Sequence, residues 1–284
     1  MKTSRIFSAH RSGFTLVEAV MVIVLTGILA AVVAVFMRTP IQGYIDAVRR
    51  AELTDAADTA LRRIARDVRT ALPNSVRGNT SQCFEFLPTL AGGRYRADNG
   101  SGVGPYDILD FTIADTAFDV LGQVGLPQPA GTQVVVYNLG IPGADAYAGS
   151  NRAAISGSTA TSVNFSALKF PLQSPNRRFQ VIPNSSTVFA CIGATGVSAS
   201  GDGLGALYRY APPINPATVT CPATVPAGAV LLANNVNTCS FNYTFSAGSS
   251  AITQRAGLLT MTLQLTRANE SAQLYQEVHV DNSP

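Results

Sequence analysis

Glu18 is the residue near the start of this chain best placed to do chemistry. It is the one ionisable side chain in an apolar stretch that runs from Phe14 to Met37. About 20 consecutive apolar residues cross the hydrocarbon core of a bilayer as a helix. An acidic group at mid-membrane costs about 2.5–3.5 kcal/mol on insertion scales, and the position of Glu18 near one end lowers that cost. Three interpretations follow: a tolerated interfacial residue, part of an ion or proton path, or a partner for a positive group in an assembly.

The residues before this stretch form a short basic leader containing Lys2, Arg5 and Arg11. Such an excess of basic residues predicts that the leader stays in the cytoplasm. An ordinary secretory signal is cleaved after its apolar region, behind small residues. Here Gly13 instead stands directly before the apolar stretch, which begins with Phe14.

This order, a glycine followed by a phenylalanine and then by a glutamate four residues later, resembles the class III signal of type IV pilins and type II secretion pseudopilins. The resemblance implies that prepilin peptidase, a membrane aspartyl peptidase, cleaves between Gly13 and Phe14 and methylates the new amine of Phe14. It further implies that the apolar helix is kept in the mature protein. It also implies that Glu18 pairs with the N-terminal amine of a neighbouring subunit, which favours the third interpretation of that residue.

The same resemblance implies the partners of the chain. They are inner-membrane lipid before assembly, and afterwards other major and minor pilins, contacted through the N-terminal helix. The implied location is the inner membrane of a Gram-negative bacterium, crossed once with the C-terminal domain in the periplasm, and later the pilus or its base or tip.

The net positive charge of the chain comes from its leader. The formal net charge is +3, from 20 basic and 17 acidic residues, and removal of Lys2, Arg5 and Arg11 leaves 17 of each. A neutral mature domain gives no support to nucleic-acid binding, which needs a basic surface. Without the leader, His279 is the one histidine, so the sequence gives no support to a catalytic Ser/His/Asp triad. We therefore expect no enzyme activity and no cofactor.

Four cysteines, Cys83, Cys191, Cys221 and Cys239, are spread over the chain. None belongs to a Cys-x-x-Cys pair, so we expect no metal site. Beyond an export segment the compartment is oxidising, and an even number of cysteines predicts disulfides. Of the three possible pairings we favour Cys221–Cys239, which closes a short loop, together with Cys83–Cys191. Four buried free thiols are the alternative.

Apolar residues at three- and four-residue steps continue past Pro40 as far as Leu72. This spacing predicts one helix from about Phe14 to Leu72, apolar all round in its first half and amphipathic in its second. Pro40 either begins a new helical segment or kinks a continuous one. The predicted organisation is a leader at 1–13, a membrane and assembly helix at 14–40, an amphipathic helix at 41–72 and a β-rich domain at 73–284.

From Cys83 onward the helical period disappears, and short runs of β-forming residues alternate with turn residues. Apolar and polar residues alternate most clearly from Leu259 to Thr266 and from Leu274 to Val280. These two segments are predicted to be the strands of a hairpin joined at 268–271. Other predicted strands are 83–87, 108–113, 133–139, 163–170, 179–182, 188–192, 207–210, 230–232 and 241–245. Long loops are expected at 92–105, 140–158, 193–205 and 212–226. The fold class is thus α+β, with the long helix packed on a mostly antiparallel sheet.

Other candidate sites are weaker. The glycine-rich segments 100–104 and 201–205 lack the strand, helix and lysine of a phosphate-binding loop, so we interpret both as flexible loops. Gly27 with three nearby alanines is either a close-packing surface for another helix or an ordinary lipid-facing stretch. Four tyrosines in or near loops form a possible sugar-binding set, with ordinary core aromatics as the favoured alternative; they are Tyr95, Tyr106, Tyr137 and Tyr147.

Segments 66–77 and 274–284 also resemble the O-type minor pilins of mannose-sensitive haemagglutinin (MSHA) pili, which are related to W-type minor pilins and J-type pseudopilins. This resemblance implies a structural subunit that takes part in assembly or initiation of a type IV pilus. A minor pseudopilin of a type II secretion system and a tip adhesin that binds surfaces or glycans are the alternatives.

Overall fold

The computed structural model describes residues 13–100, 104–122, 125, 127–193, 196–244 and 256–284. One helix, α1, spans Leu16–Val68 and contains Pro40. Contacts divide the chain into two compact units, with the division after Arg49. The strands are β1 Arg77–Thr80, β2 Cys83–Phe86, β3 Ala91–Tyr95, β4 Asp115–Leu121, β5 Gln133–Val136, β6 Arg152–Ser158, β7 Ser162–Leu168, β8 Arg178–Ile182, β9 Thr187–Ile192, β10 Gly205–Tyr210, β11 Val230–Thr244, β12 Ala256–Arg267 and β13 Glu270–Asp281. The predicted α+β class is confirmed.

The C-terminal half of α1 buries one face. Leu53, Ala57, Leu61, Ile64 and Val68 recur at helical spacing and are all 5% exposed or less. They form one core with apolar residues of the sheet described next. Truncating one of the larger side chains to alanine in such a core typically costs about 2–5 kcal/mol. The predicted packing of the amphipathic helix on a sheet is confirmed.

Seven antiparallel strands form that sheet, in the order β1-β2-β9-β10-β11-β12-β13. Strands β12 and β13 pair along their whole length, and Arg267 lies opposite Glu270. Ala268 and Asn269 form the turn between them with φ values of 50° and 66°. Two positive φ values suit the right-handed twist of a two-residue hairpin. The predicted hairpin is confirmed.

The other six strands close into a barrel, in the order β3-β4-β7-β6-β5-β8, whose chain segment is inserted between β2 and β9. Aromatic side chains fill its interior, and the rings of Phe118 and Phe179 meet edge to face at 5.0 Å. We had not predicted this second β-structure.

Several predicted elements were wrong in this region. Most of β3 and all of β6 lie within segments 92–105 and 140–158, which were expected to be loops, and β1 was also missed. No strand covers 108–113, and β4 follows that segment instead. The predicted strands at 230–232 and 241–245 belong to one strand, β11, and Phe245 lies outside the described residues.

All four cysteines form disulfides, as predicted, but the favoured pairing was wrong. The observed bonds are Cys83–Cys221 and Cys191–Cys239, with Cα–Cα distances of 5.5 and 6.3 Å. The loop before β11 does not stay beside Cys239, because residues 215–217 are hydrogen-bonded to Arg77 on β1. That attachment brings Cys221 to β2. Tertiary contacts, which are independent of sequence distance, therefore decided the connectivity.

Arg77 holds this loop through its whole guanidinium group. Its Nε binds the carboxylate of Glu85 at 2.8 Å, and its other two nitrogens donate to the carbonyls of residues 215–217 at 2.6–2.9 Å. The guanidinium carbon also lies 3.3 Å from the ring centroid of Tyr147. Burial raises the pKa of Tyr147 well above its ordinary value, so its hydroxyl stays protonated and donates to the carbonyl of Ser75.

The first prediction concerns disulfide connectivity. Digestion of the unreduced protein should release linked peptides containing Cys83 with Cys221 and Cys191 with Cys239, identified by mass spectrometry. Removing the first bond should destabilise the protein more, because it closes 138 residues rather than 48, with entropic contributions of about 5 and about 4 kcal/mol. A linked peptide joining Cys221 to Cys239 would contradict this structure.

The second prediction concerns Arg77. Replacing it with alanine should lower the free energy of unfolding by about 3–5 kcal/mol, because Glu85 would be left buried without its partner. Thermal unfolding of the detergent-solubilised chain, followed by circular dichroism, measures this loss. Arg63→Ala is the matched control, since Arg63 is exposed and an isolated surface substitution changes stability by only about 0.5 kcal/mol. Equal effects of both variants would show that the Arg77 contacts contribute little.

Candidate functional site

Residues 13–15 precede the first helical residue, Leu16, without regular structure. A side chain built on Gly13 would meet no atom within 4 Å, and the backbone of Gly13 does not adopt the left-handed conformation. The fold therefore makes no demand for glycine at this position. A requirement for glycine must come from something that acts on the chain.

Thr15 caps the N-terminus of α1. Its Oγ1 accepts a hydrogen bond from the backbone amide of Glu18 at 3.3 Å, and its carbonyl accepts one from the amide of Ala19 at 3.2 Å. Threonine at the cap with glutamate three residues later is the pattern of a capping box. We had not predicted this role of Thr15, although the Thr-x-x-Glu spacing carries the signal.

The carboxylate of Glu18 is exposed in the first turn of α1. A negative charge there is favourable to the helix, because the first amide groups of a helix carry partial positive charge. Within the described ranges, Glu18 forms no ion pair. Its carboxylate is therefore free to meet a positive group from outside this chain.

Every large apolar side chain from Phe14 to Met37 is exposed, with Leu16 at 81% and Phe36 at 82%. The segment belongs to a helix that is long and apolar enough to cross a membrane. Its one polar side chain beyond the first turn, Thr26, donates its hydroxyl to the carbonyl of Val22 at 2.7 Å. Beyond its first turn, the segment thus presents only apolar surface and hydrogen-bonded polar groups, as a bilayer or an apolar partner requires.

Gly27 leaves open space on the same helix, since a side chain built there would meet nothing within 4 Å. The chain itself therefore does not use the proposed close-packing surface of Gly27 and the nearby alanines. Its contact with another helix stays a prediction.

The tyrosine set does not form a sugar-binding surface. Tyr95 and Tyr147 are only 1% and 2% exposed, so for these two residues the favoured alternative of ordinary core aromatics is confirmed. Tyr137 packs against the barrel core, and Tyr106 lies under the guanidinium of Arg96 at 4.1 Å. These residues serve packing.

The glycine-rich segments also serve structure where they are described. A side chain on Gly201 would clash with Asn269, and one on Gly203 would lie 2.2 Å from the carbonyl oxygen of Asn235. Both glycines are needed because the loop approaches the sheet closely. Part of the other segment, residues 101–103, lies outside the described residues. No group of His, Cys, Asp and Glu that could hold a metal ion occurs in the described part of the chain.

Comparison with known families gives one match, to the prokaryotic N-terminal methylation motif, over residues 8–34. No curated protein and no solved structure matches the chain. The matched segment contains Gly13, Phe14 and Glu18, together with most of the exposed apolar helix. The motif implies processing by prepilin peptidase, a pilin assembly context and membrane anchoring, and it favours a structural role over a catalytic one. The chain thus carries an N-terminal motif that indicates a type IV pilin-like protein.

Proposed function

We propose that this chain is a minor pilin, a structural subunit that takes part in assembly or initiation of a type IV pilus. Prepilin peptidase cleaves it between Gly13 and Phe14 and methylates the new amine. The single observation that carries the proposal is the methylation motif at residues 8–34, which includes most of the exposed apolar stretch Phe14–Met37.

The exposed apolar part of the helix needs to be covered both before and after assembly, by different partners. Exposed apolar surface costs about 25 cal/mol per Å² relative to burial. Before assembly, inner-membrane lipid covers Phe14–Met37, and the C-terminal domain lies in the periplasm of a Gram-negative cell. In the filament, the helices of other major and minor pilins replace the lipid.

Glu18 supplies the register of that assembly. Cleavage after Gly13 creates a positive amine on Phe14, close to the same end of the helix. A carboxylate and an amine that both lie in a low dielectric recover much of their desolvation cost by pairing. Pairing between Glu18 of one subunit and the amine of the next would therefore fix their relative position, without necessarily adding net stability.

Assignment to an MSHA-type pilus rests on the resemblance of segments 66–77 and 274–284. A minor pseudopilin of a type II secretion system would share the same processing and the same helix. The partner proteins found in sheared filaments distinguish the two systems.

The third prediction concerns cleavage. Gly13→Leu should block processing, because the peptidase requires glycine before the cleaved bond. The fold has open space at this position, so a loss of processing would arise at the peptidase and not from misfolding. Mass spectrometry of the native N-terminus should find N-methylated Phe14 in the wild type and an intact leader in the variant. Gly27→Leu is the matched control, with equal open space inside the helix, and should be processed normally. Normal shortening of the Gly13 variant would overturn the proposal.

The fourth prediction separates the charge of Glu18 from its place in the capping box. Glu18→Val and Glu18→Gln should both insert into the membrane and both fail to enter filaments, although glutamine is also suited to a capping box. Thr15→Ala removes the cap at a cost of about 1 kcal/mol and keeps the charge, so it should assemble. Immunoblots of sheared filaments and of membranes measure the two pools. Normal assembly of the glutamine variant would show that the charge is dispensable.

A further inference from the structure

The two edges of the seven-stranded sheet differ in how they are protected. Strand β1 forms one edge, is 4 residues long and pairs irregularly with β2. The loop that Arg77 binds lies against this edge, and Oγ1 of Thr80 is 2.7 Å from Sγ of Cys221 in the same loop. A short strand, an irregular ladder and a covering loop are three ways in which proteins keep an edge strand from pairing with another chain.

Strand β13 forms the other edge and has none of these three features. It is 12 residues long, pairs with β12 without a bulge, and contains neither proline nor lysine. In an antiparallel pair, every second residue points its backbone N–H and C=O away from the partner strand. Within the described ranges, no further hydrogen bond reaches the backbone of Glu270–Asp281. This edge thus presents free backbone donors and acceptors over about 40 Å.

A groove of about 520 Å³ borders this edge on the side of the sheet where α1 packs. Leu274 of β13 lines it together with residues of α1 between Arg50 and Asp58. Leu274 also packs against the core between α1 and the sheet, so the groove continues an apolar surface. A strand added beside β13 would point every second side chain toward the groove. The fold therefore leaves room for these side chains.

The free edge is also acidic. Glu277 and Asp281 are exposed on the face of β13 that points away from α1, and the residue opposite Glu277 on β12 is the uncharged Thr260. Neither carboxylate forms an ion pair with a described residue, and the same holds for Asp55 in the groove. Opposite charges on directly opposed residues of neighbouring strands attract each other. Basic side chains on an added strand would therefore be favoured.

A second copy of this chain does not suit the edge. Two identical edge strands form a two-fold symmetric pair only when they run antiparallel, because opposed residues of a parallel pair make different hydrogen bonds. That symmetry would reverse the direction of α1 in the second copy, whereas chains inserted in one membrane by the same leader point the same way. Pairing with β1 of another copy is opposed by the loop that lies against β1. The partner that fits is a different protein.

We propose that the outer edge of β13 binds an extended, basic segment of a different subunit, which adds one strand to the sheet. The backbone of this segment is hydrogen-bonded to the free donors and acceptors of β13. Its apolar side chains enter the groove beside Leu274, and its basic side chains meet Glu277 and Asp281. That the partner is a filament subunit rests on the proposed function, whereas the open edge does not.

The fifth prediction tests this edge with the full chain in a non-ionic detergent at low salt and a fluorescent peptide of alternating valine and lysine. Fluorescence anisotropy should detect binding above that of protein-free micelles, and hydrogen–deuterium exchange should slow in the fragment containing Glu270–Asp281. Two control peptides should each bind at least about tenfold more weakly. One has glutamate in place of lysine and loses the attraction, and the other is N-methylated at every backbone amide and loses its donors.

The variants locate the charges. Glu277→Lys together with Asp281→Lys should weaken binding at least about tenfold, because attraction becomes repulsion. Asp98→Lys together with Asp107→Lys is the matched control, since it changes the net charge equally at two exposed carboxylates of the barrel region and should bind as the wild type does. Equal weakening by both pairs would reduce the effect to general charge attraction and overturn the site. Absence of binding by the wild type, equal binding of the N-methylated peptide, or unchanged exchange at β13 would overturn it as well.

The same variants separate this inference from the proposed function. Immunoblots of sheared filaments should show at least about tenfold less of the β13 double variant, and as much of the barrel double variant as of the wild type. Equal amounts of both would overturn β13 as an assembly edge and leave the proposed function standing. Absence of the wild-type chain from filaments would contradict the proposed function instead, and the peptide measurement would then decide on the edge alone.

Discussion

The need to cover apolar surface governs the whole of α1. From Leu53 to Val68 the helix meets this need within the chain, because its apolar face forms one core with the seven-stranded sheet. From Leu16 to Met37 it does not, and every large apolar side chain is exposed. A continuous helix thus joins a segment with its own partner to a segment without one. The second segment can persist only in lipid or against apolar surface from another molecule.

The few residues after α1 determine how the rest of the described domain is held together. The side-chain amide of Asn74 donates to the carbonyl of Asn138 in the barrel region. The backbone amide of Asn74 donates to Oδ1 of Asn282 near the C-terminus. Asn138 in turn donates to the carbonyl of Pro73. Because these polar groups are largely buried, each bond lost would leave an unsatisfied donor or acceptor. The helix end, the barrel and the final strand are therefore fixed to one another by the same short segment.

Elements with a local signal could be predicted from the sequence, whereas elements that depend on distant residues could not. The hairpin of β12 and β13 was predictable, since strict alternation and adjacent strands leave little freedom. Strand β3 was not, because its Ala-Gly-Gly-Arg-Tyr sequence has low β propensity and becomes a strand only between β4 and β8. The disulfide pairing failed for the same reason. Cys221 reaches β2 through contacts of Arg77 that no sequence spacing reveals.

The same contrast separates the N-terminal motif from the residues that the barrel brings together. Gly13, Phe14 and Glu18 lie in one short segment that the methylation motif covers, so their spacing is visible in the sequence. Arg94 and Arg178 are separated by most of the barrel and become neighbours only through strand register. Neither residue stands out in the sequence, where each is one basic residue among several. What distinguishes them is their opposed position on neighbouring strands, and only the folded chain reveals that.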